Sequence, residues 1–170
     1  MYLSGRSKYN LKEDKIKVES TLEKAVDDSL HIIGSIIESQ GIQISTDYQC
    51  NEKLFLYPNE LKQVVLNLLK NSQEAIEEKK PDNAKIEIRT YKDGRNYCLE
   101  IRDNGGGVPE GVISKVFEPY FTTKGNLNGT GLGLYMSNLI ITEHHKGSLT
   151  VSNQDDGACF IMKLSGNIKE

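Results

Sequence analysis

The sequence predicts an α/β (α+β) domain in which a mixed, mostly antiparallel sheet carries helices on one face. Three observations predict it. Apolar residues recur at helical spacing in three segments, 18–40, 59–77 and 130–144. Strands of period two come as hairpins, 85–91 with 97–103 and 148–153 with 159–164. The stretch from Asn104 to Asn128 holds Pro109, Pro119 and several glycines, yet also Phe117, Tyr120 and Phe121. It is too long for a mere connection and reads as a lid that packs part of the time.

Each element has its own signal. Residues 1–17 are polar and without periodicity, a tail or linker. In 18–40, Leu22, Ala25, Val26, Leu30, Ile33, Ile36 and Ile37 make one helical face, which Gly41 stops. Residues 42–48 alternate as a strand with Ile42 and Ile44 on one side, and 53–56 form a short strand before Pro58. Asn59 is placed to cap the helix that follows. At about 100° per residue, that helix puts Leu61, Val65, Leu68, Leu69, Ser72, Ala75 and Ile76 on one side. Glu60, Asn67, Asn71 and Glu74 fall nearly in line on another. Pro81-Asp82-Asn83 ends it, Lys92-Asp93-Gly94-Arg95 turns the first hairpin and Asp156-Gly157 the last. Leu132, Leu134, Tyr135, Leu139 and Ile140 mark the third helix.

Composition excludes several classes. A length of 170 residues fits one domain, or one domain with an arm. The net charge of −3, with Lys and Arg scattered, argues against nucleic acid as the main ligand. Cys50, Cys98 and Cys159 are odd in number and far apart, so they suggest neither a disulfide framework nor a metal site, and a reducing cytoplasmic setting is expected. No run approaches the roughly 18 apolar residues of a membrane helix, so no membrane contact is expected of this segment.

The polar stripe is the first chemical signal. Asparagine is a poor helix former, because its amide competes for backbone hydrogen bonds. Two of them one turn apart, with carboxylates, offer the hard oxygen ligands that Mg²⁺ takes sparingly from protein. The same stripe on its own reads equally well as the wet face of an amphipathic helix. The second signal is Asp103, which continues the register of Tyr97, Leu99 and Ile101 and so ends a core-facing row in a carboxylate. A buried carboxylate needs donors, and an adenine amino group is one. An ordinary strand-end Asp is the simpler reading until Gly105, Gly106 and Gly107 are added, which let the backbone approach a flat ligand. The third signal is Gly129-Thr130-Gly131-Leu132-Gly133-Leu134 at the start of a helix, where free amides suit phosphate. Lys124, just upstream, is either a cation for a γ-phosphate or a solvated loop lysine.

Four motifs then stand in order. They are Asn67-Leu68-Leu69-Lys70-Asn71-Ser72-Gln73-Glu74-Ala75, Asp103-Asn104-Gly105-Gly106-Gly107-Val108-Pro109, Phe117-Glu118-Pro119-Tyr120-Phe121-Thr122-Thr123-Lys124, and Gly129 to Leu134. Together they resemble the N, G1, F and G2 boxes of the catalytic, ATP-binding domain of bacterial sensor histidine kinases, within the GHKL superfamily. The resemblance covers roughly residues 18–164, and the forms of the first and third boxes resemble nitrogen-sensing and sporulation-type kinases. It implies a two-layer α/β sandwich with a long ATP lid. It implies that 18–170 is the catalytic domain, and that 1–17 ends a dimerisation hairpin lying elsewhere.

By the same resemblance, Asn71 ligands Mg²⁺ with Asn67 and Glu74 nearby, and Asp103 accepts from adenine. Gly105, Gly107 and Val108 line the adenine pocket, Thr122, Thr123 and Lys124 belong to the lid, and Gly129, Thr130, Gly131, Leu132, Gly133 and Leu134 cradle the phosphates. Two departures stand out. A last box, usually Gly-x-Gly-Thr-x-Phe, reads Asp155-Asp156-Gly157-Ala158-Cys159-Phe160. Many relatives carry Lys or Arg where this chain has Glu74, which shifts phosphate compensation towards Lys124 and Lys70.

Hydrolysing members of the superfamily place a glutamate four residues before the metal Asn. Here Asn67 stands there, and an amide cannot take water's proton. Phosphoryl transfer to a protein nucleophile is therefore expected, by positioning and charge neutralisation, with Asn67 and Lys124 as candidate catalytic residues. His31, His144 and His145 lack the sequence context of the family's phosphoacceptor and are read as structural. The expected partners are a histidine-bearing dimerisation domain and a response regulator. The alternatives are a serine kinase of the anti-sigma-factor type and a nucleotide-gated binding module without transfer.

Overall fold

The computed structural model describes residues 16–124 and 129–166. The expected tail, apart from Ile16 and Lys17, lies outside the described residues, as do 125–128 of the expected lid.

Strand β1, Val18–Ser20, pairs antiparallel with β3, Leu54–Leu56. It takes the first residues of the expected first helix, so α1 begins later, at Leu22–Ser39. The Thr21 hydroxyl caps it by accepting the Lys24 N–H at 3.1 Å. Strand β2, Gln43–Tyr48, follows Gly41, and α2 spans Pro58–Lys79. Asn59 does not cap α2. Pro58 enters the helix first, with its φ already suited to that position, and Tyr57 stands at the cap without a side-chain bond. Lys80 turns left-handed (φ 53°) and ends it before Pro81.

Strands β4, Lys85–Asp93, and β5, Asn96–Asp103, form the first hairpin, with Gly94 at φ 60° in its turn. A 3-10 turn covers Glu110–Lys115. The third helix is shorter than its periodicity suggests. Regular α3 spans Gly133–Leu139 and widens into a π turn over Ile140–His144. The cause at its start is local: Gly131 sits at φ 67° and its carbonyl accepts the Tyr120 N–H at 2.9 Å, so the chain is still in a turn there. Strands β6, Ser148–Gln154, and β7, Gly157–Ser165, close the chain.

The main sheet runs β2-β4-β5-β7-β6, antiparallel except for the β2–β4 pair. Its inner face carries Ile86, Ile88, Leu99, Ile101, Phe160 and Met162, all buried against α1 and α2. The helices run side by side, with Gln73 donating to Gln40 and the Ser29 hydroxyl, which donates to the Ala25 carbonyl at 2.7 Å, lying 3.4 Å from the Lys62 carbonyl. Leu68 and Leu69 are at most 1% exposed in the core they share with the sheet residues, and each such side chain contributes about 1.5–3 kcal/mol by leaving water. The apolar wall of α2 therefore faces the sheet. Its polar stripe is turned towards α3 and the loop after β5, the position from which a site can be built.

Candidate functional site

Asp103 ends β5 opposite Ile86, on the inner parity. It is 9% exposed. Ser72 of α2 donates its hydroxyl to Oδ2 at 3.0 Å, and the Gly105 N–H donates to Oδ1 at 2.9 Å. The Ala158 N–H lies at 3.4 Å from the same Oδ1. Burial pushes the carboxyl above the ordinary aspartate value, and these three donors pull in the opposite sense.

The loop beyond it is pinned on both sides. A Cβ on Gly105 would lie 2.7 Å from the Ala75 Cβ, so only glycine lets the loop lie this close to α2. Asn104 donates to the Asn83 carbonyl at 2.6 Å and accepts the Lys85 N–H at 2.9 Å. Val108 is clamped by Asn153, whose amide accepts its N–H at 2.8 Å and donates to its carbonyl at 2.6 Å. Gly107 lies between these anchors.

The second half of the site lies further back along α2. Asn67 donates its amide to the Ser137 hydroxyl of α3 at 3.0 Å. A Cβ on Gly133 would stand 2.4 Å from the Asn67 Oδ1, so any other residue there would have to displace the Asn67 amide. The Asn71 amide nitrogen is buried without a hydrogen-bond partner. Glu74 contacts Lys124 through Oε2, and its Oε1 lies 3.9 Å from the Lys70 ammonium. Burial, with the like charge of Lys70, pushes the Lys124 ammonium below the ordinary lysine value.

Among the remaining expected residues, Thr122 accepts the Lys124 N–H at 3.0 Å, and Thr123 is exposed beside it. Gly129 lies next to the Thr122 hydroxyl. Thr130 accepts the Leu132 N–H at 3.3 Å, Leu132 stands at the cap of α3, and Leu134 packs on the core. Gly129, Thr130, Gly131 and Leu132 thus lie in the turn before α3 rather than in its first turn.

The structure brings Asn67, Asn71, Glu74, Lys124 and Gly133 together along α2, and Asp103, Ser72 and Gly105 beside them. At 1.5 Å of rise per residue, Asn67 and Ser72 are about 7.5 Å apart along the axis. Glu60, the other member of the predicted stripe, is elsewhere. It binds the His144 Nδ1 at 2.9 Å, near the start of α2. Three contributors were given no role from the sequence, though Ser72 lies within the first motif. Ser72 was counted on the apolar side, Ser137 lies mid-helix, and Asn153 is the anchor of Val108. Asn153 did carry a legible signal, since it ends the inner row of Leu149 and Val151 in a polar residue, as Asp103 does for β5.

Among the described residues no three His, Cys, Asp or Glu side chains form a metal cage. The site nonetheless fits Mg²⁺ in its usual manner, which takes one or two protein oxygens and completes the shell with phosphates and water. Half-buried Asn71, whose amide nitrogen is buried without a partner, is the group to supply one, since a half-turn exchanges its nitrogen and oxygen.

Residues 57–167 match the family model described as histidine kinase-, DNA gyrase B-, and HSP90-like ATPase. Sporulation kinase A of Bacillus subtilis is 32% identical over 151 residues, 87% of this chain and 24% of the kinase. The two-component sensor PprA of Pseudomonas aeruginosa is 36% identical over 113 residues, 62% of this chain and 12% of that protein. The chain thus spans a quarter or less of the length of these two relatives. Among solved structures, the catalytic domain of histidine kinase ThkA superposes with a TM-score of 0.77 at 27% identity, covering 88% of this chain and 97% of that domain. No helix among the described residues is long and apolar enough to cross a membrane. Sheet order, motif order and these matches agree: the chain belongs to the histidine kinase-, DNA gyrase B- and HSP90-like ATPase family, with the fold of a histidine kinase catalytic domain.

Proposed function

We propose that this domain binds Mg²⁺-ATP and transfers its γ-phosphate to a histidine on a separate helical dimerisation domain, for relay to a response regulator in the cytoplasm. The observation that carries the reading is the pairing, along one helix, of a buried carboxylate held in place by Ser72 with an amide row at Asn67 and Asn71. Asp103 accepts from the adenine amino group, and Gly105, Gly107 and Val108 offer a backbone edge flat enough for the ring. Asn71, with Asn67 beside it, would hold the metal. Bound Mg²⁺ supplies neutralisation of phosphate charge and a fixed geometry for the phosphates. Lys124, with Lys70 at the rim, addresses the terminal phosphate, and Thr122, Thr123 and the turn from Gly129 to Leu134 border the phosphate chain.

Transfer is favoured over hydrolysis because the position where a general base is required holds an amide. Asn67 carries no titratable group, and its N–H₂ is committed to Ser137. His145 has both ring nitrogens engaged within the fold, so it is not offered as a phosphoacceptor. The names of the relatives, a two-component sensor and a sporulation kinase, support the same assignment.

The test is transfer from labelled ATP to a separately purified histidine-bearing helical hairpin. Acid-labile label on the hairpin is the expected result. Acid-stable label would move the assignment to a serine kinase, and tight ATP binding with no label would leave a nucleotide-gated module.

A further inference from the structure

We propose that Glu74 is a built-in competitor of the nucleotide's terminal phosphate: its carboxylate holds the Lys124 and Lys70 ammonium groups, and ATP engages those cations only by displacing it. The inference rests on the reading of the site given under Proposed function. It goes beyond that reading by assigning Glu74 a role opposed to binding.

The geometry is that of a bridging anion. One oxygen of Glu74 contacts Lys124, and the other faces Lys70 across 3.9 Å. The Glu74 and Lys124 side chains are 26% and 29% exposed, so water screens their attraction only in part. Lys70, 65% exposed, is the weaker partner. Lys124 is also set in place by its own loop, through the bond from its N–H to Thr122. Two cations and one anion leave a single net positive charge beside Asn71, which lies three residues before Glu74 on α2.

A phosphate oxygen is an acceptor of the same kind as a carboxylate oxygen, with more charge. It therefore competes for the same N–H donors of Lys124. While Glu74 stays near, it also repels the incoming triphosphate. Both effects weaken binding, and both act most on the phosphate that Lys124 addresses. ADP lacks that phosphate and feels the competition least. Glu74 thereby lowers affinity for ATP relative to ADP.

Calorimetry with Mg-ATP, Mg-ADP and metal-free ATP on the wild-type chain, Glu74→Gln, Lys124→Met and the double variant tests this. Glutamine keeps the shape of Glu74 and removes its charge. Glu74→Gln is expected to bind Mg-ATP about three- to tenfold tighter and Mg-ADP less than about twofold tighter. In the Lys124→Met background the same substitution is expected to change Mg-ATP affinity less than about twofold, because the closer of the two contested cations is gone and Lys70 is the weaker partner. Weaker Mg-ATP binding by Glu74→Gln, with metal-free ATP unchanged, would overturn the proposal and make Glu74 a metal-side ligand. Undiminished tightening in the Lys124→Met background would also overturn it, leaving only general charge repulsion. A wild-type chain that takes up no adenine nucleotide would instead overturn the reading of the site itself.

Discussion

Asp103 concentrates the chemistry of the site in one side chain, and its environment makes the pH behaviour specific. Burial pushes its carboxyl upward, so the folded state disfavours the ion. The sign is that of a raised acid: the stability it contributes is present below the unfolded value and is lost as pH rises through the folded one. Adenine reading needs the ion as acceptor and runs the other way, so ATP affinity should fall on acidification at a higher pH than an ordinary aspartate would dictate. Ser72 donates to the ion, so Ser72→Ala should move this loss of affinity to still higher pH. An ATP-affinity profile across the acid range, wild type against variant, measures the shift, and superimposed profiles would remove Ser72 from the site. Asp103→Asn should weaken ATP relative to GTP: its oxygen keeps the Gly105 and Ala158 N–H groups, and its N–H₂ takes the Ser72 side, where it can no longer accept from adenine. Asp103 was legible because period-two parity made a carboxylate where the row required an apolar residue. Ser72 was not, because a serine on an apolar helix face carries no mark of what it bonds to.

The elements differ in how far local sequence determines them. The apolar face of α2 was readable at nearly every position, since the sheet it packs on demands continuous burial. The start of α3 was not, because a hydrogen bond to Tyr120 holds Gly131 in a turn whatever the periodicity beyond it. Strand β1 exists only through its partner Leu54–Leu56, a tertiary pairing that three residues cannot announce. The π turn after α3 has its own reason in His145, which is buried at 7% exposure. Its Nδ1 bonds the Ile140 carbonyl at 3.1 Å, and its Nε2 accepts the Tyr57 N–H at 3.2 Å, an arrangement that requires the neutral ring.

Burial pushes His145 below its ordinary value of 6.5. Lys17 and His144 act in the same sense, while Glu60 and the Ile140 carbonyl oppose it. Stability from this junction is therefore present above the unfolded pKa and lost as pH falls through the folded one. Thermal unfolding of the wild type should show Tm falling over that acid range. His145→Gln should lower Tm at pH 7.5, at a cost of about 1–3 kcal/mol, and flatten this dependence. A variant with an undiminished pH slope would place the titration on another group.

At the scale of the molecule, the layer order was legible because hairpins and amphipathic helices impose it. The meeting of the segments was not, since nothing local brings residues near 70, 103, 124 and 133 together. That convergence has a measurable consequence. A ligand held by α2, the end of β5, the Lys124 segment and the start of α3 stabilises all of them at once, and only in the native state. At 100 times its dissociation constant such a ligand adds about 2.7 kcal/mol, which for a chain of this size raises Tm by roughly 5–10 °C. Mg²⁺ should add a distinct part of that rise, because metal and phosphates complete each other's coordination beside Asn71. Asn71→Ala removes the buried amide without touching Asp103. It should therefore bring the Tm rise in Mg-ATP down to the rise in metal-free ATP and leave the latter unchanged. A loss of equal size with and without Mg²⁺ would make Asn71 a packing residue of the pocket. Preserved separation of the two curves would move the metal to another side chain on the same stripe, Asn67 or Glu74.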